Sequence, residues 1–511
     1  MVKPLTILIL GLFCIILVSG CITAANDQPE AADLEKTVSA FDLYTEELFN
    51  KSGVPGMAVA VIQNDTIIYE KCFGVINLTT QEPVTADTRF QLASISKSFT
   101  TATIASMVGT GNLSWDDSAA GINPDLQFSD PWITEHVTLR DLLSHRTGLP
   151  EYAGDELAEL GYTRSEILYK LRYLSQTGEF RSNYAYSNLG ITAAAETAAI
   201  KAGMPWEELI AERIFIPAGM TNSSAVFSDF AEAENHADTY VVTNGIAEQS
   251  SILLNDDVNS PAGGVSSTLN DMIRYLRLQL NDGTIDGVQV IDASALRQTH
   301  KAQNIVRSDY TSIAAYGLGW EITSVNGSVR VEHGGDLTSG VSTLITLHPE
   351  EGMGIVVLTN GFPGGHVLKK AVARGWEDLY FTGAVQNDWY AEIGNQINAA
   401  MQPGSSVLNP YTTLGDASKN AAAPRALESY CGSYYQDYYG NLTIEKGTGG
   451  LVLYLGPVAA KYVLTPYDGD IFYEQATGTG VYFTFGSDGN VQSVKLAMME
   501  RPGRTGVFTR V

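Results

Sequence analysis

A serine and a lysine three positions apart are the residues best suited to covalent chemistry in this sequence. Ser94 and Lys97 lie in the stretch 91–100, which is followed by helix-forming residues through Met107. If a helix opens at Ser94, its first N–H groups point at the serine, and Lys97 lies one turn along on nearly the same face. A serine needs a neighbouring base to act as a nucleophile, and a lysine amine can serve if its pKa is lowered. The alternative is a helix cap beside a solvated lysine, which an isolated Ser-x-x-Lys favours.

Two further reactive side chains lie in a polar stretch, residues 181–188. Tyr186 and Asn188 are two positions apart, so an extended segment would direct both side chains to the same side. The phenol of Tyr186 can relay protons, and can do so as a phenolate only if nearby cations lower its pKa. The amide of Asn188 can orient Lys97 or a substrate carbonyl. Taken alone, Tyr186 is also compatible with core packing and Asn188 with a turn.

A third group is the His-Gly-Gly sequence at residues 333–335, at the end of a predicted strand. Gly335 would let a strand edge approach a substrate backbone closely, because no side chain intervenes. The N–H of Asp336 is a candidate to join that of Ser94 in an oxyanion hole. His333 is mostly neutral near pH 7 unless an acid is close, and acidic residues flank the group on both sides.

These three groups resemble the motifs of one family, the serine β-lactamases and penicillin-binding proteins. The matching stretches, in chain order, are Ser94-x-x-Lys97, Tyr186-Ser187-Asn188 and His333-Gly334-Gly335. Residues 138–150 and 261–267 are similar to the class C and esterase branch, and the resemblance covers about residues 35–379. It implies catalytic roles for Ser94, Lys97 and Tyr186, and substrate or oxyanion binding by Asn188, His333, Gly335 and Asp336. His145 is assigned a structural role, since no partner is evident.

The resemblance also bears on the substrate, because the family divides at the third motif. β-Lactamases and DD-peptidases usually carry a lysine there, whose fixed charge binds a carboxylate, whereas this chain has His333. The expected activity is therefore that of an esterase or D-amino-acid peptidase, acting through an acyl-enzyme on an ester or amide in a small molecule or peptide. Two alternatives stay open: DD-carboxypeptidase or β-lactamase activity, and a penicillin-recognising sensor without turnover, which the C-terminal domain motivates.

Composition excludes several other classes of protein. The chain has 511 residues, 44% of them hydrophobic, and a formal net charge of −26, which disfavours binding to nucleic acid or to anionic membrane surfaces. There is no Gly-x-Ser-x-Gly elbow, no phosphate-binding loop and no His-Glu-x-x-His helix. The seven histidines are scattered without ligand spacing, so no metal and no cofactor is predicted.

The N-terminal residues are typical of a secretory leader. Lys3 precedes an apolar run over residues 5–18, and small residues then precede Cys21. This pattern resembles a bacterial lipoprotein signal over residues 1–21, with Cys21 as the lipid anchor and residues 22–33 as a tether; an uncleaved single-span anchor is the alternative. Either implies an extracytoplasmic protein attached to the membrane. The oligomeric state is left open.

The remaining periodicity predicts an α+β fold. An amphipathic helix over 32–51 is followed by a hairpin of strands 56–63 and 66–74. Helical patterns fill the middle of the chain, including a capped helix after Thr138. Later strands are predicted at 317–322, 328–333, 340–347 and 354–360, then a helix over 367–379.

This order predicts an antiparallel sheet that is assembled from both ends of the sequence, flanked by helices and carrying an all-helical insertion. The predicted domains are a hydrolase-type domain over 34–400, a linker over 401–425 rich in Pro, Ser, Gly and Ala, and a small antiparallel β domain over 426–511. Two cysteines lie outside the leader, Cys72 and Cys431, and are expected as two buried thiols, with a disulfide as the alternative.

Overall fold

The computed structural model describes residues 31–308, 313–325, 327–401, 414 and 421–511. The predicted leader with Cys21, most of the tether and most of the linker lie outside these residues. Among the described residues, none of the helices combines the length and the apolar character that crossing a bilayer requires.

The strands of residues 31–401 form a large antiparallel sheet with small satellite sheets. In chain order the strands are β1 (Gly56–Gln63), β2 (Thr66–Gly74), β3 (Phe90–Gln91), β4 (Tyr240–Thr243), β5 (Ile246–Gln249), β6 (Ser266–Ser267), β7 (Thr284–Ile285), β8 (Val288–Gln289), β9 (Asn304–Ser308), β10 (Ile313–Tyr316), β11 (Glu321–Val325), β12 (Ser328–Leu337), β13 (Val341–His348), β14 (Met353–Thr359) and β15 (Gly361–Pro363). Within the described residues the large sheet has the order β2-β1-β14-β13-β12-β11-β10-β9.

Helices cover both faces of this sheet. They are α1 (Ala31–Ser52), α2 (Ser96–Gly109), α3 (Ala119–Ile122), α4 (Pro131–His136), α5 (Leu139–Leu143), α6 (Asp155–Glu159), α7 (Arg164–Lys170), α8 (Asn188–Ala202), α9 (Trp206–Ile210), α10 (Ile216–Ala218), α11 (Phe227–Ala231), α12 (Leu269–Leu280), α13 (Ala293–Thr299), α14 (Gly364–Thr382) and α15 (Trp389–Ala400). The helices from α3 to α11 lie between the N-terminal hairpin and the late strands, as the predicted insertion requires.

Strand β1 shows how the sheet is buried on both faces. Met57, Val59 and Val61 pack in the cluster formed with α1 and α14, while the alternate residues, such as Ala58 and Ala60, pack in the larger cluster with the other helices. Side chains alternate along a strand, so each face of β1 meets a different layer. Because β1 pairs with β2 on one edge and β14 on the other, the predicted assembly of the sheet from both ends of the chain is confirmed.

The predicted strand over 317–322 is wrong. Residues 313–316 and 321–325 form two separate strands, β10 and β11, which pair with each other through a tight connection. The backbone of Gly317 donates to the carbonyl of Trp320 at 2.7 Å, and Gly319 has a φ of +74°, which glycine adopts without a steric penalty. The turn glycines are embedded among apolar residues, so the sequence pattern does not separate the two strands.

The C-terminal domain is a closed antiparallel barrel. Its strands are β16 (Gly432–Gln436), β17 (Gly440–Lys446), β18 (Leu451–Leu455), β19 (Ala460–Asp468), β20 (Ile471–Glu474), β21 (Gly480–Phe485), β22 (Val491–Leu496) and β23 (Val507–Arg510). Pairing of β16 with β23 closes it, which removes the exposed strand edges of an open sheet. Buried residues of the barrel, including Tyr438 and Tyr439, belong to the same apolar cluster as Leu160 and Tyr162 of the helical region. The barrel is therefore packed against the larger domain.

Candidate active site

Ser94 lies in a tight 3₁₀ turn, Ala93–Ile95, that leads directly into α2. The α-helix itself begins at Ser96, two residues later than the predicted start. Ala93 has a φ of +50°, an unfavourable conformation for a residue with a side chain, so the neighbouring structure must hold it in place. Thr343 of β13 donates to the carbonyl of Leu92 at 2.6 Å and contributes to that restraint. The Ser94 side chain is half-buried at the mouth of the helix.

Lys97 is fully buried beneath Ser94. Its Nζ lies 3.0 Å from Ser94 Oγ and donates to the carbonyl of Ala262 at 2.8 Å. Burial lowers the pKa of the amine to about 7, against the opposing influence of the Asp155 and Asp256 carboxyls. A substantial fraction of Lys97 is therefore neutral near pH 7, as a base for the serine proton must be.

Tyr186 approaches the same hydroxyl from another part of the chain. Its OH lies 2.9 Å from Ser94 Oγ, and its ring lies 4.7 Å from the Lys97 amine. Burial raises the pKa of this phenol well above its usual value of 10. Tyr186 is therefore a neutral phenol at neutral pH, and the condition set for a phenolate is not met. It can donate a hydrogen bond and pass a proton on.

His145 supports Tyr186 without touching Ser94. The Ser187 N–H lies 3.2 Å from His145 Nδ1, and the His145 and Tyr186 rings are 4.7 Å apart. Burial and the Lys97 charge hold the pKa of His145 well below its usual range, so the ring is neutral and Nδ1 accepts the bond. The structural role predicted for His145 thus has a partner, which is the Tyr-x-Asn segment itself.

Asn188 differs from its prediction. The segment is not extended through this residue: Ser187 caps α8, accepting from Gly190 N–H, and Asn188 is the first helical residue. The side chain of Asn188 donates from Nδ2 to Asp155 Oδ2 at 2.8 Å, so this hydrogen bond is to a carboxyl and not to Lys97. Asn188 still lines the cleft with Ser94.

His333 occupies the third-motif position as a neutral ring. Its Nε2 lies 3.0 Å from the OH of Tyr316, and its Nδ1 lies 2.8 Å from the Gly334 carbonyl. Burial and the Lys97 charge lower its pKa to about 3. The flanking acid Glu332 does not charge the ring, because it is held by Arg374 at 2.6 Å. This position consequently carries no cation at neutral pH.

Gly335 and Asp336 complete the predicted set, and both serve the local packing. A Cβ atom on Gly335 would come within 2.2 Å of the Leu92 carbonyl oxygen and 2.9 Å of the Ala93 Cβ, so β12 packs directly against the turn that carries Ser94. The absence of a side chain at Gly335 is required for this contact. The carboxylate of Asp336 turns the other way and pairs with Lys369 at 2.8 Å.

These residues open onto a cleft of about 560 Å³. Its wall includes the carboxyl groups of Glu151, Asp155 and Glu321, together with Lys370 and the half-buried His366. Burial raises the pKa of Asp155 to about 7. The cleft is large enough for a small acyl substrate.

Sequence reasoning missed Asp155 and Tyr316. Neither belongs to a recognised motif, and each reaches the site only through tertiary contacts, with Asn188 and His333 respectively. A signal did exist for the helix start: Ser187 precedes an alanine-rich stretch and is a favoured capping residue. Within the described residues, no group of three or more potential metal ligands is found.

The fold and the Ser-Lys-Tyr arrangement define a class, the serine hydrolases with a β-lactamase-type fold. The chain belongs to the Beta-lactamase family, which it matches over residues 35–376, and residues 416–506 match a domain of unknown function, DUF3471.

Three similar proteins illustrate the range of this family. Unguisins hydrolase ungD' of Aspergillus campestris is 25% identical over 76% of this chain and 74% of its own length. A D-aminopeptidase of Brucella anthropi is 27% identical over 58% of this chain and 55% of its own. The solved octameric penicillin-binding protein homologue from Pyrococcus abyssi covers 92% of this chain and 100% of its own, with a TM-score of 0.55 and 19% identity. The predicted α+β fold and the predicted family are confirmed.

Proposed function

We propose that this protein hydrolyses an ester or amide through an acyl-enzyme on Ser94, with the substrate preference of an esterase or D-amino-acid peptidase. The observation that carries the proposal is the approach of Lys97 Nζ and Tyr186 OH to the same Ser94 Oγ, at 3.0 and 2.9 Å. A serine with a base and a proton donor in hydrogen-bond reach is the arrangement that covalent acyl transfer needs.

In the proposed acylation step, Ser94 Oγ attacks the substrate carbonyl carbon while the neutral Lys97 amine takes the hydroxyl proton. The N–H groups of Ser94 and Asp336 are the predicted donors to the oxyanion. The intermediate then expels the alcohol or amine, which receives the proton by way of Tyr186. Water, deprotonated by Lys97, cleaves the ester on Ser94 and releases the carboxylic acid.

The charges around the cleft support an uncharged or cationic acyl substrate. His333 supplies no positive charge at the third motif, because its pKa is lowered to about 3. The wall contains the carboxyl groups of Glu151, Asp155 and Glu321 against one lysine, Lys370, which does not favour an anionic substrate. Burial raises the pKa of Asp155 to about 7 and also raises that of Glu321, so their protonated forms suit an uncharged substrate. The similarity to a D-aminopeptidase and to an unguisins hydrolase supports hydrolysis, without identifying the substrate.

The experiment uses Ser94→Ala with p-nitrophenyl acetate and a fluorophosphonate probe. We expect the wild type to turn over the ester and to be labelled, and the variant to lose both activities. Labelling that persists in Ser94→Ala would remove Ser94 as the nucleophile. The alternative of β-lactam or DD-carboxypeptidase activity is favoured by the family match alone, and nitrocefin hydrolysis at a rate above that of the ester would support it. Multiple turnovers of any substrate would exclude a sensor without turnover.

We further propose an extracytoplasmic location with a lipid anchor on Cys21, on the leader pattern of residues 1–21. Expression in a bacterial host with radiolabelled palmitate tests it: label that disappears in Cys21→Ala supports lipidation. An unlabelled protein that stays in the membrane fraction would favour the single-span alternative.

A further inference from the structure

The wall of the cleft and the C-terminal barrel meet at one short segment, residues 150–156. Inside this segment, Tyr152 and Asp155 face the catalytic residues. The Tyr152 N–H donates to the Tyr186 carbonyl at 2.9 Å, and the two rings are 5.3 Å apart. Asp155 accepts from Asn188 at 2.8 Å. The segment therefore contacts both residues of the Tyr-x-Asn motif.

The barrel holds the C-terminal end of this segment. Arg504 pairs with Glu156 at 2.6 Å, between side chains that are only 4% and 17% exposed. The OH of Tyr438 donates to the same Glu156 oxygen at 3.1 Å. Glu156 follows Asp155 directly in α6, so a fixed Glu156 backbone leaves Asp155 little freedom. A charge pair with this much burial is costly to break from one side.

The barrel also holds the N-terminal end. Gly503 has a φ of +76° and lies so close to Pro150 that a Cβ atom would come within 2.6 Å of the proline Cγ. The carbonyl of Gly503 accepts from the Ser175 N–H at 2.8 Å, which anchors the barrel loop to the helical region. The barrel therefore contacts the segment at both ends, at Pro150 and Glu156, and the residues that contact the site, Tyr152 and Asp155, lie between them.

We propose that the C-terminal barrel positions the catalytic site, holding the segment 150–156 at both ends so that Tyr152 packs on Tyr186 and Asp155 stays beside Asn188 and Lys97. This assigns a role to the region that matches a domain of unknown function. It rests on the proposed function, because the site it positions is the Ser94 hydrolase site. Arg504 and Tyr438 are positioning residues, since they act through Glu156.

The barrel contact should also influence the pKa of Lys97. Asp155 and Asp256 both raise the pKa of Lys97, and burial of the amine opposes them. The other ionisable side chains around Lys97 are His145, His333 and Tyr186, which stay neutral in the range of the test. Removing Arg504 leaves the Glu156 charge uncompensated beside Asp155, which favours the protonated carboxyl. Lys97 then loses a stabilising charge, and its pKa falls.

The test compares Arg504→Met and Tyr438→Phe with the matched control Tyr162→Phe. Tyr162 also donates across the domain interface, to the Tyr439 carbonyl at 2.7 Å, but its bond does not involve Glu156. We expect Arg504→Met to lower kcat for p-nitrophenyl acetate about tenfold, as a misplaced catalytic group does. Tyr438→Phe should lower it roughly threefold, as the loss of one hydrogen bond does. Tyr162→Phe should match the wild type in kcat.

Two measurements separate positioning from a general loss of stability. In Arg504→Met the acid limb of the kcat/KM profile should move to lower pH, and hydrogen–deuterium exchange of residues 150–159 should rise in both test variants. If Arg504→Met does not fold, Tyr438→Phe decides through kcat and exchange. Test variants that match Tyr162→Phe in kcat, pH midpoint and exchange would overturn the proposal.

The proposed function can fail separately. If the wild type shows neither ester turnover nor fluorophosphonate labelling of Ser94, the hydrolase proposal falls, and the exchange of residues 150–159 alone decides whether the barrel holds the segment. Raised exchange in Tyr438→Phe, against an unchanged Tyr162→Phe, would still support the barrel contact.

Discussion

The two faces of strand β12 bear buried polar groups that differ in whether they form ion pairs. Toward Ser94, His333 is kept neutral beside a fully buried Lys97 whose pKa is about 7. Toward α14, Glu332 pairs with Arg374 at 2.6 Å and Asp336 with Lys369 at 2.8 Å. On the catalytic face, Lys97 is removed from water without a close ion pair. On the face toward α14, each carboxylate has a cationic partner.

The unpaired face of β12 serves catalysis, and the paired face serves stability. Burial without a close opposite charge moves the pKa of Lys97 to where proton transfer is easy at neutral pH. Pairing has the reverse effect on the other face, where the Lys369 charge lowers the pKa of Asp336 to about 2 and the Arg374 charge lowers that of Glu332. Lys97 can therefore exchange protons near pH 7, whereas the paired carboxylates Glu332 and Asp336 stay charged and hold α14 against the sheet.

The largest effect is expected from Lys97 and Lys369, which are both fully buried but have different partners. Lys97→Met removes the base and should lower kcat/KM by about 10³-fold. Lys369→Met should lose stability and retain kcat/KM to within about tenfold, since its amine pairs with Asp336 and not with Ser94. Steady-state kinetics and thermal unfolding of both variants check this. Equal losses of activity would contradict the separation of the two faces.

Breaking the ion pairs between β12 and α14 should lower the free energy of unfolding and leave kcat/KM nearly unchanged. Arg374→Met removes one of the two guanidinium groups that pair with both Glu332 and Glu377, the other being Arg330. It should lower the free energy of unfolding by about 3 kcal/mol in urea titrations. The control is Arg297→Met, which breaks the exposed pair with Asp282 and should change nothing measurable. An Arg374 variant with full stability would show that these pairs do not hold α14.

The phenol of Tyr186 should show the next effect. Tyr186→Phe removes the OH that lies 2.9 Å from Ser94 but keeps the ring, and should lower kcat about 10²-fold. Tyr275→Phe is the matched control, because its OH also bonds a serine of α2, Ser98 at 3.1 Å, away from the cleft. A Tyr186→Phe enzyme as active as the control would remove the phenol from proton transfer.

The smallest effect is a pH dependence. Lys97 must be neutral to accept the serine proton, so kcat/KM should fall as pH falls below about 7, approaching tenfold per pH unit. Asp155 titrates in the same range, and the apparent midpoint therefore belongs to the pair. Initial rates from pH 8 to 6 check this, with tryptophan fluorescence confirming that the protein stays folded. A flat profile would mean that Lys97 is not the base.

The sequence predicted best what a few neighbouring residues determine. The helix predicted after Thr138 is present, with a capping box formed by Thr138 and Asp141. The N-terminal hairpin has its predicted bounds, because the Asn64-Asp65 turn and the flanking β-branched residues are local signals. The one-turn spacing of Ser94 and Lys97 likewise fixes their approach once the helix forms.

What could not be predicted depends on contacts between distant segments. Asp155 reaches Asn188 only because α6 packs beside the start of α8, and no spacing rule encodes that contact. Closure of the barrel depends on the pairing of β16 with β23, whose strands are individually short and weakly patterned. The pKa of Lys97 is also a property of its burial, which a motif does not express.

The pairing of β1 with β14 has a consequence for biosynthesis. Met57 lies opposite Thr359, so a strand made early by the ribosome waits for one that is made about three hundred residues later. Contacts of such long sequence separation slow folding, and until they form the apolar N-terminal hairpin has a vacant edge. A nascent chain of this protein therefore depends on protection of that edge during translation, before the active site has formed.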